Sequence, residues 1–217
     1  MKEIIKGVIT GDIVGSTFNT GGERAQLLSG LQTIANDISE LMPLKMELFR
    51  GDSFQIVADD PEDSVKIAVL FRAALKGLTP AEARHLWDAR VAVGIGTVDY
   101  ESERIGLSDG EAFRLSGREL DSIGKKRLVV TTPWSEINDE LSVSTSFADD
   151  IITAWTRVQA EITYWKIAEN KAQKEIAEQF GRTPQNISKI LGASKENLIC
   201  QYLTRCRNLI LNKISAL

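Results

Sequence analysis

Residues 173–191, QKEIAEQFGRTPQNISKIL, carry the pattern of two short helices that cross steeply around a turn. Gly181 stands where the first helix would end and can adopt the positive φ that such an end requires. Thr183 followed by Pro184 is typical of a helix start, because threonine caps the first turn and proline suits its first position. Ala177 is small at the point where the helices would approach most closely. The stretch therefore predicts a helix-turn-helix unit.

The apolar residues in and around this stretch predict how the unit is packed. A shared wedge between its two helices would consist of Ile176, Phe180, Ile187 and Ile190. A preceding helix over 151–168 would cover that wedge with Ile152, Trp155, Val158, Ile162 and Trp165. A final helix, capped by Ser194, would carry an apolar stripe of Leu198, Tyr202, Leu203, Cys206, Leu209 and Ile210. This stripe is either core or the seam of a homodimer.

The charge of the chain is unevenly distributed. The 217 residues carry a net charge of -4. From Lys166 to the end there are nine basic and four acidic residues, a net charge of +5, which leaves -9 for the remainder. Such an asymmetry indicates that the tail meets a polyanion while the amino-terminal part has another role.

We therefore predict that the tail binds double-stranded DNA. The amino-terminal side chains of the second helix would face base edges in the major groove, with Gln185, Asn186 and Lys189 as the readers. Phosphate contacts are expected from Arg182, Thr183 and Ser188. The alternative is a helical hairpin that only packs against its neighbour or a partner protein.

The first 132 residues alternate strand-like and helix-like patterns. Short β-rich runs predict strands at 3–10, 46–49, 53–58, 89–98 and 127–132. Apolar residues at three- and four-residue steps predict helices at 23–41, 61–75 and 110–123. The order β-α-β-β-α-β-α-β predicts a mixed or antiparallel sheet with a right-handed crossover.

Two aspartates end strand-like segments beside glycines. Asp12 lies in TGDIVGST at 10–17, and Asp52 lies in FRGDSF at 49–54. If the two strands are neighbours, the carboxylates converge at one end of the sheet and suit Mg²⁺ or Mn²⁺. The backbone amides of 14–17 would add an anion cradle at the entrance to a helix. The alternative is that both aspartates only form turns.

The sequence DIVGST at 12–17, followed by Gly51-Asp52, resembles the paired metal-binding motifs of class III nucleotidyl cyclases and related palm-like domains. Most of the first 130 residues are more similar to the SatD-like family, whose pattern is found as Gly11-Asp12-Ile13, Gly51-Asp52-Ser53-Phe54, Asp109-Gly110-Glu111-Ala112-Phe113 and Arg118. The resemblance implies a cyclase-like fold, with Mg²⁺ or Mn²⁺ at Asp12 and Asp52. A nucleotide or phosphate ligand is expected at Ser16, Thr17, Arg114 and Arg118.

The sequence departs from the cyclase pattern where cyclases read the base. The position of the cyclase asparagine falls on Arg114, and that of the base-selecting lysine falls on Leu48. Leu107 stands where the opposite base edge would be read. These departures favour a nucleotide or phosphate sensor. A cyclase-like enzyme with a helix-turn-helix tail is the alternative, and a first domain that only dimerises is a third interpretation.

The sequence thus predicts an α+β protein in two parts. A ferredoxin/cyclase-like βαββαβ domain would cover 1–132, an irregular connection 133–148, and an all-α DNA-binding domain 149–217. The lone His85 excludes sites built on several imidazoles, and Cys200 and Cys206 are expected to be reduced thiols. With no apolar run long enough for a membrane span, we expect a cytoplasmic homodimeric regulator of transcription.

Overall fold

The computed structural model describes residues 4–15, 21–49 and 52–217. Its sheet has five strands, β1 (Ile5–Ile13), β2 (Leu44–Leu48), β3 (Ser53–Ala58), β4 (Ala89–Thr97) and β5 (Leu128–Thr131), in the order β2-β3-β1-β4-β5. All neighbouring strands are antiparallel except β4 and β5, which are parallel. The mixed sheet and the order of its elements confirm the predicted α+β class.

Eight α-helices are found within the described residues: α1 (Gly21–Ser39), α2 (Ser64–Gly77), α3 (Glu111–Ser122), α4 (Ser135–Ala154), α5 (Arg157–Glu169), α6 (Gln173–Gln179), α7 (Pro184–Ala193) and α8 (Glu196–Ser215). Two short 3₁₀ helices, Pro61–Asp63 and Ile105–Leu107, precede α2 and α3. Among the described helices, none combines the length and the apolar character needed to cross a bilayer.

The two faces of the sheet differ in character because side chains alternate along each strand. On one face, Ile9 and Ile13 of β1 join Val91 and Val93 of β4 in a core that α1 and α2 cover. On the other face, α3 lies so close to β4 that a Cβ on Gly94 would stand 2.4 Å from the carbonyl oxygen of Ala112. This second face also carries polar side chains, among them Thr10, whose hydroxyl lies 2.8 Å from that of Ser116 on α3.

The segment predicted as an irregular connection, 133–148, is helical, since α4 covers Ser135–Ala154. Its serines concealed the helix from the sequence pattern. The hydroxyls of Ser142, Ser144 and Ser146 donate to carbonyl oxygens of the preceding turn, so these residues are accommodated within the helix. The buried side of α4 packs against β5 and α8 and includes Ile137, Leu141, Thr145, Ala148 and Ile152.

The helix predicted over 151–168 is two helices. The chain leaves α4 at Trp155, whose φ and ψ are extended, and α5 starts with a capping box. Thr156 accepts from the backbone N–H of Gln159, whose side chain accepts from the backbone N–H of Thr156. The predicted boundary at residue 149 therefore falls inside α4. One apolar core includes residues of the sheet, α4, α5 and α8, while the division into two domains stays a prediction.

The start and the stripe of the final helix also differ from expectation. Ser194 does not cap α8, because its hydroxyl donates to the carbonyl oxygen of Leu191 and accepts from Thr163. Lys195, in the left-handed region with φ 55°, precedes α8 instead. Leu203 and Ile210 are buried within their own chain, so the proposed dimer seam is wrong for these two residues. Leu198 of the same stripe is 51% exposed, and Leu209 packs partly against the core.

A fully buried guanidinium joins the sheet to the helices that follow it. Arg72 of α2 donates to both carboxylate oxygens of Asp88, at 2.9 Å each, just before β4. It also donates to Asp149 at 2.7 Å and to Thr153 at 2.9 Å, both on α4. Asp149 in turn accepts from the backbone N–H of Arg127, which leads into β5. One side chain thus fixes α2, α4 and two strand ends.

This network sets the ionisation of Asp88. Burial by itself raises the pKa of Asp88, but attraction and hydrogen bonds from Arg72, with contributions from Lys76 and Arg127, lower it to about 2. Asp88 therefore stays ionised, and its interactions stabilise the fold at any pH above its unfolded pKa. This stabilisation is lost as the pH falls through the folded pKa.

Replacing Arg72 by methionine should lower the free energy of unfolding by about 3 kcal/mol or more, because Asp149 would lose a buried charge partner. Urea denaturation of the full chain measures this change. The control is Arg205→Met, which removes an exposed pair with Glu140 and should cost about 0–1 kcal/mol. Equal losses in the two variants would contradict the importance given to Arg72.

Candidate functional site

The polar face of the sheet is built from alternate residues of three strands. Thr10 lies at its centre, where its hydroxyl is 2.8 Å from that of Ser116 on α3 and accepts from the Gln55 amide at 2.9 Å. Asp12 follows on the same side of β1, two residues further on, and Arg90 stands directly opposite it on β4. We call Thr10, Asp12, Gln55, Arg90 and Ser116 the ligand face.

The structure places Asp12 and Asp52 at the same end of the sheet, as the sequence predicts. Asp12 pairs in register with Ser53, and the backbone N–H of Ile13 donates to the carbonyl oxygen of Asp52 at 3.2 Å. The guanidinium of Arg90 is attracted by the negative charges of both aspartates. Its hydrogen bonds to Asp12, followed by attraction from Asp12 and Asp52, raise the pKa of its guanidinium, although burial opposes this.

The carboxylate of Asp12 is already paired with a positive side chain of the same chain, that of Arg90. Arg90 donates from Nε to Oδ1 at 2.8 Å and from Nη2 to Oδ2 at 2.5 Å, so both carboxylate oxygens are engaged. Within the described residues, no group of three or more histidine, cysteine, aspartate or glutamate side chains is placed to hold a metal ion. In this arrangement the residues do not fit the Mg²⁺ or Mn²⁺ that the sequence predicts.

The expected phosphate ligands are dispersed. Ser16 and Thr17 lie outside the described residues. Arg114 binds Asp99 and Asp109 at 3.0 Å each, beyond the end of β4 that pairs with Ile5. The seven residue-to-residue steps from Ile5 to Asp12 span about 24 Å.

Arg118, one turn after Arg114, is exposed on α3. Because Arg114 is held at the opposite end of the sheet from Asp12, a single phosphate group in one chain cannot contact both. The joint role of Arg114 and Arg118 in ligand binding stays a prediction.

The two leucines at the expected base-reading positions have different surroundings. Leu48 of β2 packs against the apolar core, on the opposite face from Thr10 and Asp12. Leu107 is 62% exposed at the end of the short helix before α3. Neither offers a hydrogen-bonding group to a base.

The second candidate site is the pair α6 and α7. Gly181 lies in the turn after α6 and has a φ of 59°. The backbone N–H of Arg182 donates a hydrogen bond to the carbonyl oxygen of Ala177 at 2.8 Å. Thr183 caps α7, accepting from the N–H of Asn186 at 3.2 Å, and Pro184 occupies the first position. The predicted turn and cap are confirmed.

The wedge beneath α7 is also formed as predicted. Ile176, Ala177 and Ile187 are buried together with Leu191, and Phe180 and Ile190 pack partly against them. Ile162 of α5 lies at 0% exposure in the same cluster and covers it, with Val158 and Trp165 at its edge. Ile152 and Trp155, expected there, belong to the main core instead. Thus α7 is supported from beneath by α5 and α6.

The outer side of α7 is open to solvent and has no acidic residue. Gln185, Asn186, Ser188 and Lys189 are all exposed. Arg182 lies beside them and donates to the Asn186 side-chain oxygen at 3.0 Å. From residue 179 to residue 195 the chain contains three basic residues and no carboxylate. We call Arg182, Thr183, Gln185, Asn186, Ser188 and Lys189 the α7 surface.

Sequence reasoning missed Arg90 and the Arg72 network. Arg90 lies inside a run, 89–98, that alternates as a strand, and its position on the polar side was a usable signal. No local pattern pointed to Arg72, whose two carboxylate partners are 16 and 77 residues away in sequence.

Comparison with known proteins gives only distant likenesses. No family model matches the chain, and no curated protein matches it. Of the solved structures, a bacterial light-regulated adenylyl cyclase has a TM-score of 0.47 at 16% identity, covering 60% of this chain and 77% of that one. The adenylyl cyclase CyaB from P. aeruginosa has a TM-score of 0.46 at 17% identity, covering 65% and 81%.

A diguanylate cyclase GGEEF domain from Vibrio cholerae is also similar, with a TM-score of 0.40 at 12% identity and coverage of 59% of this chain and 82% of that chain. At such identities and TM-scores the likeness bears on neither the activity nor the ligand of this chain.

The turn before α7 can be tested with two glycines. Gly181→Ala should lower the free energy of unfolding by about 1 kcal/mol, because alanine is strained at φ 59°. Gly192→Ala is the matched control, since it makes the same chemical change inside α7, where a new Cβ meets nothing within 4 Å. It should stabilise by up to about 1 kcal/mol. Changes of the same sign in urea denaturation would contradict the assigned turn.

Proposed function

We propose that this protein is a DNA-binding regulator of transcription whose α7 enters the major groove of double-stranded DNA. The observation that carries the proposal is the α7 surface, which is exposed, capped at its start and free of carboxylates. A helix that presents only neutral and basic side chains can approach phosphates without electrostatic penalty. The -9 charge of the first 165 residues leaves this surface as the place for a polyanion.

The roles within the α7 surface follow from position and chemistry. Gln185 and Asn186 lie in the first turn, where side chains of such helices meet base edges, and their amides pair with adenine. Lys189 is one turn further on and suits guanine. Arg182 and Thr183 flank the start of the helix, and Ser188 lies along it, where phosphate contacts would fix the position of the protein.

A second candidate function belongs to the ligand face, which we propose binds the phosphates of a nucleotide. Arg90 uses two of its N–H groups on Asp12 and is 40% exposed, so its remaining donors are open to a phosphate. Thr10, Gln55 and Ser116 add uncharged hydrogen-bonding groups nearby.

A sensor without catalysis is our preferred form of this second function. Leu48 and Leu107 provide no polar group for a base, and Arg114 is engaged by Asp99 and Asp109. A nucleotidyl cyclase-like enzyme with a DNA-binding tail is the alternative. A homodimer stays a prediction, and its seam would lie elsewhere than on Leu203 and Ile210.

Binding of labelled duplex to the full chain tests the DNA proposal. Random-sequence DNA does not fix a guanine opposite Lys189, so the charge of this lysine acts on the phosphates there. Lys189→Ala should therefore reduce the slope of log affinity against log salt on random DNA by about 1. With a duplex enriched by selection on this protein, Asn186→Ala should cost about 1–3 kcal/mol, and less on random DNA.

The matched control for the lost charge is Lys125→Ala, which removes an exposed lysine outside the tail and should leave binding unchanged. Affinity that depends on neither salt nor Lys189 would reduce α6 and α7 to a structural hairpin.

Calorimetric titration with ATP and GTP tests the ligand face. Arg90→Gln should weaken binding by about tenfold or more, because the phosphates lose a charged donor. Arg205→Gln, which also removes an arginine bound to one carboxylate, is the control and should have no effect. If the intact chain binds neither nucleotide, this second function is wrong. Rapid formation of cyclic nucleotide or pyrophosphate would favour the enzyme.

A further inference from the structure

The pairing of Asp12 with Arg90 conflicts with the metal site that the sequence predicts. Asp12 and Asp52 lie at the same end of the sheet, where the backbone of Ile13 donates to the carbonyl oxygen of Asp52. The register of β1 and β4, however, places Arg90 directly opposite Asp12. A bidentate contact between guanidinium and carboxylate uses the oxygens that a metal ion would need.

We propose that Arg90 is the resident cation of this site and excludes divalent metal ions from Asp12 in the ligand-free protein. Two effects act together. A metal ion must first displace two charge-assisted hydrogen bonds, and it must then accept a positive guanidinium as a close neighbour. The charge of Asp52 also acts on Arg90 and helps to keep the guanidinium in place.

The exposure of the pair indicates that this exclusion is reversible. The side chains of Arg90 and Asp12 are 40% and 20% exposed, so water and salt weaken their attraction. A phosphate that draws Arg90 away would leave the charge of Asp12 uncompensated. Metal binding would then depend on an anionic ligand. The inference concerns the same face as the proposed nucleotide binding, but the exclusion itself requires no nucleotide.

The chain offers controls that separate charge from shape. Arg90→Gln keeps a long hydrogen-bonding side chain and removes the positive charge, whereas Arg90→Lys keeps the charge. Arg205→Gln frees a carboxylate, that of Glu140, from an equivalent bidentate contact at an exposed site. It therefore tests whether one released carboxylate alone is enough to bind a metal ion.

Titration of the full chain with Mn²⁺ alone, followed by electron paramagnetic resonance of the free ion, tests the proposal. The wild-type chain, Arg90→Lys and Arg205→Gln should show only weak, unsaturable binding. Arg90→Gln should gain one site with an affinity at least about tenfold higher, and Arg90→Gln combined with Asp12→Asn should lose it.

Saturable Mn²⁺ binding by the wild-type chain that Asp12→Asn abolishes would overturn the proposal, because Arg90 would then not exclude the ion. An Arg90→Gln variant that remains folded by circular dichroism but gains no site would overturn it as well. Neither result depends on whether the chain binds nucleotides, so failure here is distinguishable from failure of the proposed ligand binding.

Discussion

The buried guanidinium of Arg72 constrains the structure more than any other single group. It is fully enclosed, and its hydrogen bonds to Asp88, Asp149 and Thr153 determine where α2, β4 and α4 meet. A buried charge must be paired, so moving α4 away would expose the Arg72 guanidinium to water or leave it without its partners on α4. Because α4 also packs against α8, the helical tail is held to the sheet through the same constraint.

The two proposed surfaces are formed by different elements and lie in parts of the chain that differ in charge. The ligand face is built on β1, β3 and β4, in the acidic part of the chain, whereas the α7 surface lies in the basic tail. Lys76 and Arg127 also form ion pairs with Asp88, so the buried carboxylate at the junction of α2, β4 and α4 has three positively charged partners, including Arg72. The end of β4 and α4 are therefore joined by packed ionic contacts.

Much of the fold could be predicted from the sequence, because alternation and helical periodicity are local properties. The strands and the cap at Thr183 followed from residue types within a few positions. The helix α4 was missed, since its serines satisfy their hydroxyls inside the helix and resemble a polar connection.

Sites that depend on pairing between distant segments were less predictable. Asp12 and Asp52 were expected at one end of the sheet, and the backbone places both there. Their joint role as metal ligands stays a prediction. The register that places Arg90 against Asp12 is a tertiary fact with a separation of 78 residues. The same is true of the burial of Leu203 and Ile210, whose apolar stripe alone cannot distinguish a core from an interface.

Hydrogen–deuterium exchange of the full chain with and without duplex tests most directly whether the α7 surface contacts DNA. We expect slowed exchange at the backbone amides of Asn186 to Lys189 and in the preceding turn, with little change in β1 to β3. Unchanged exchange along α7 at saturating DNA, or protection confined to the sheet, would contradict it.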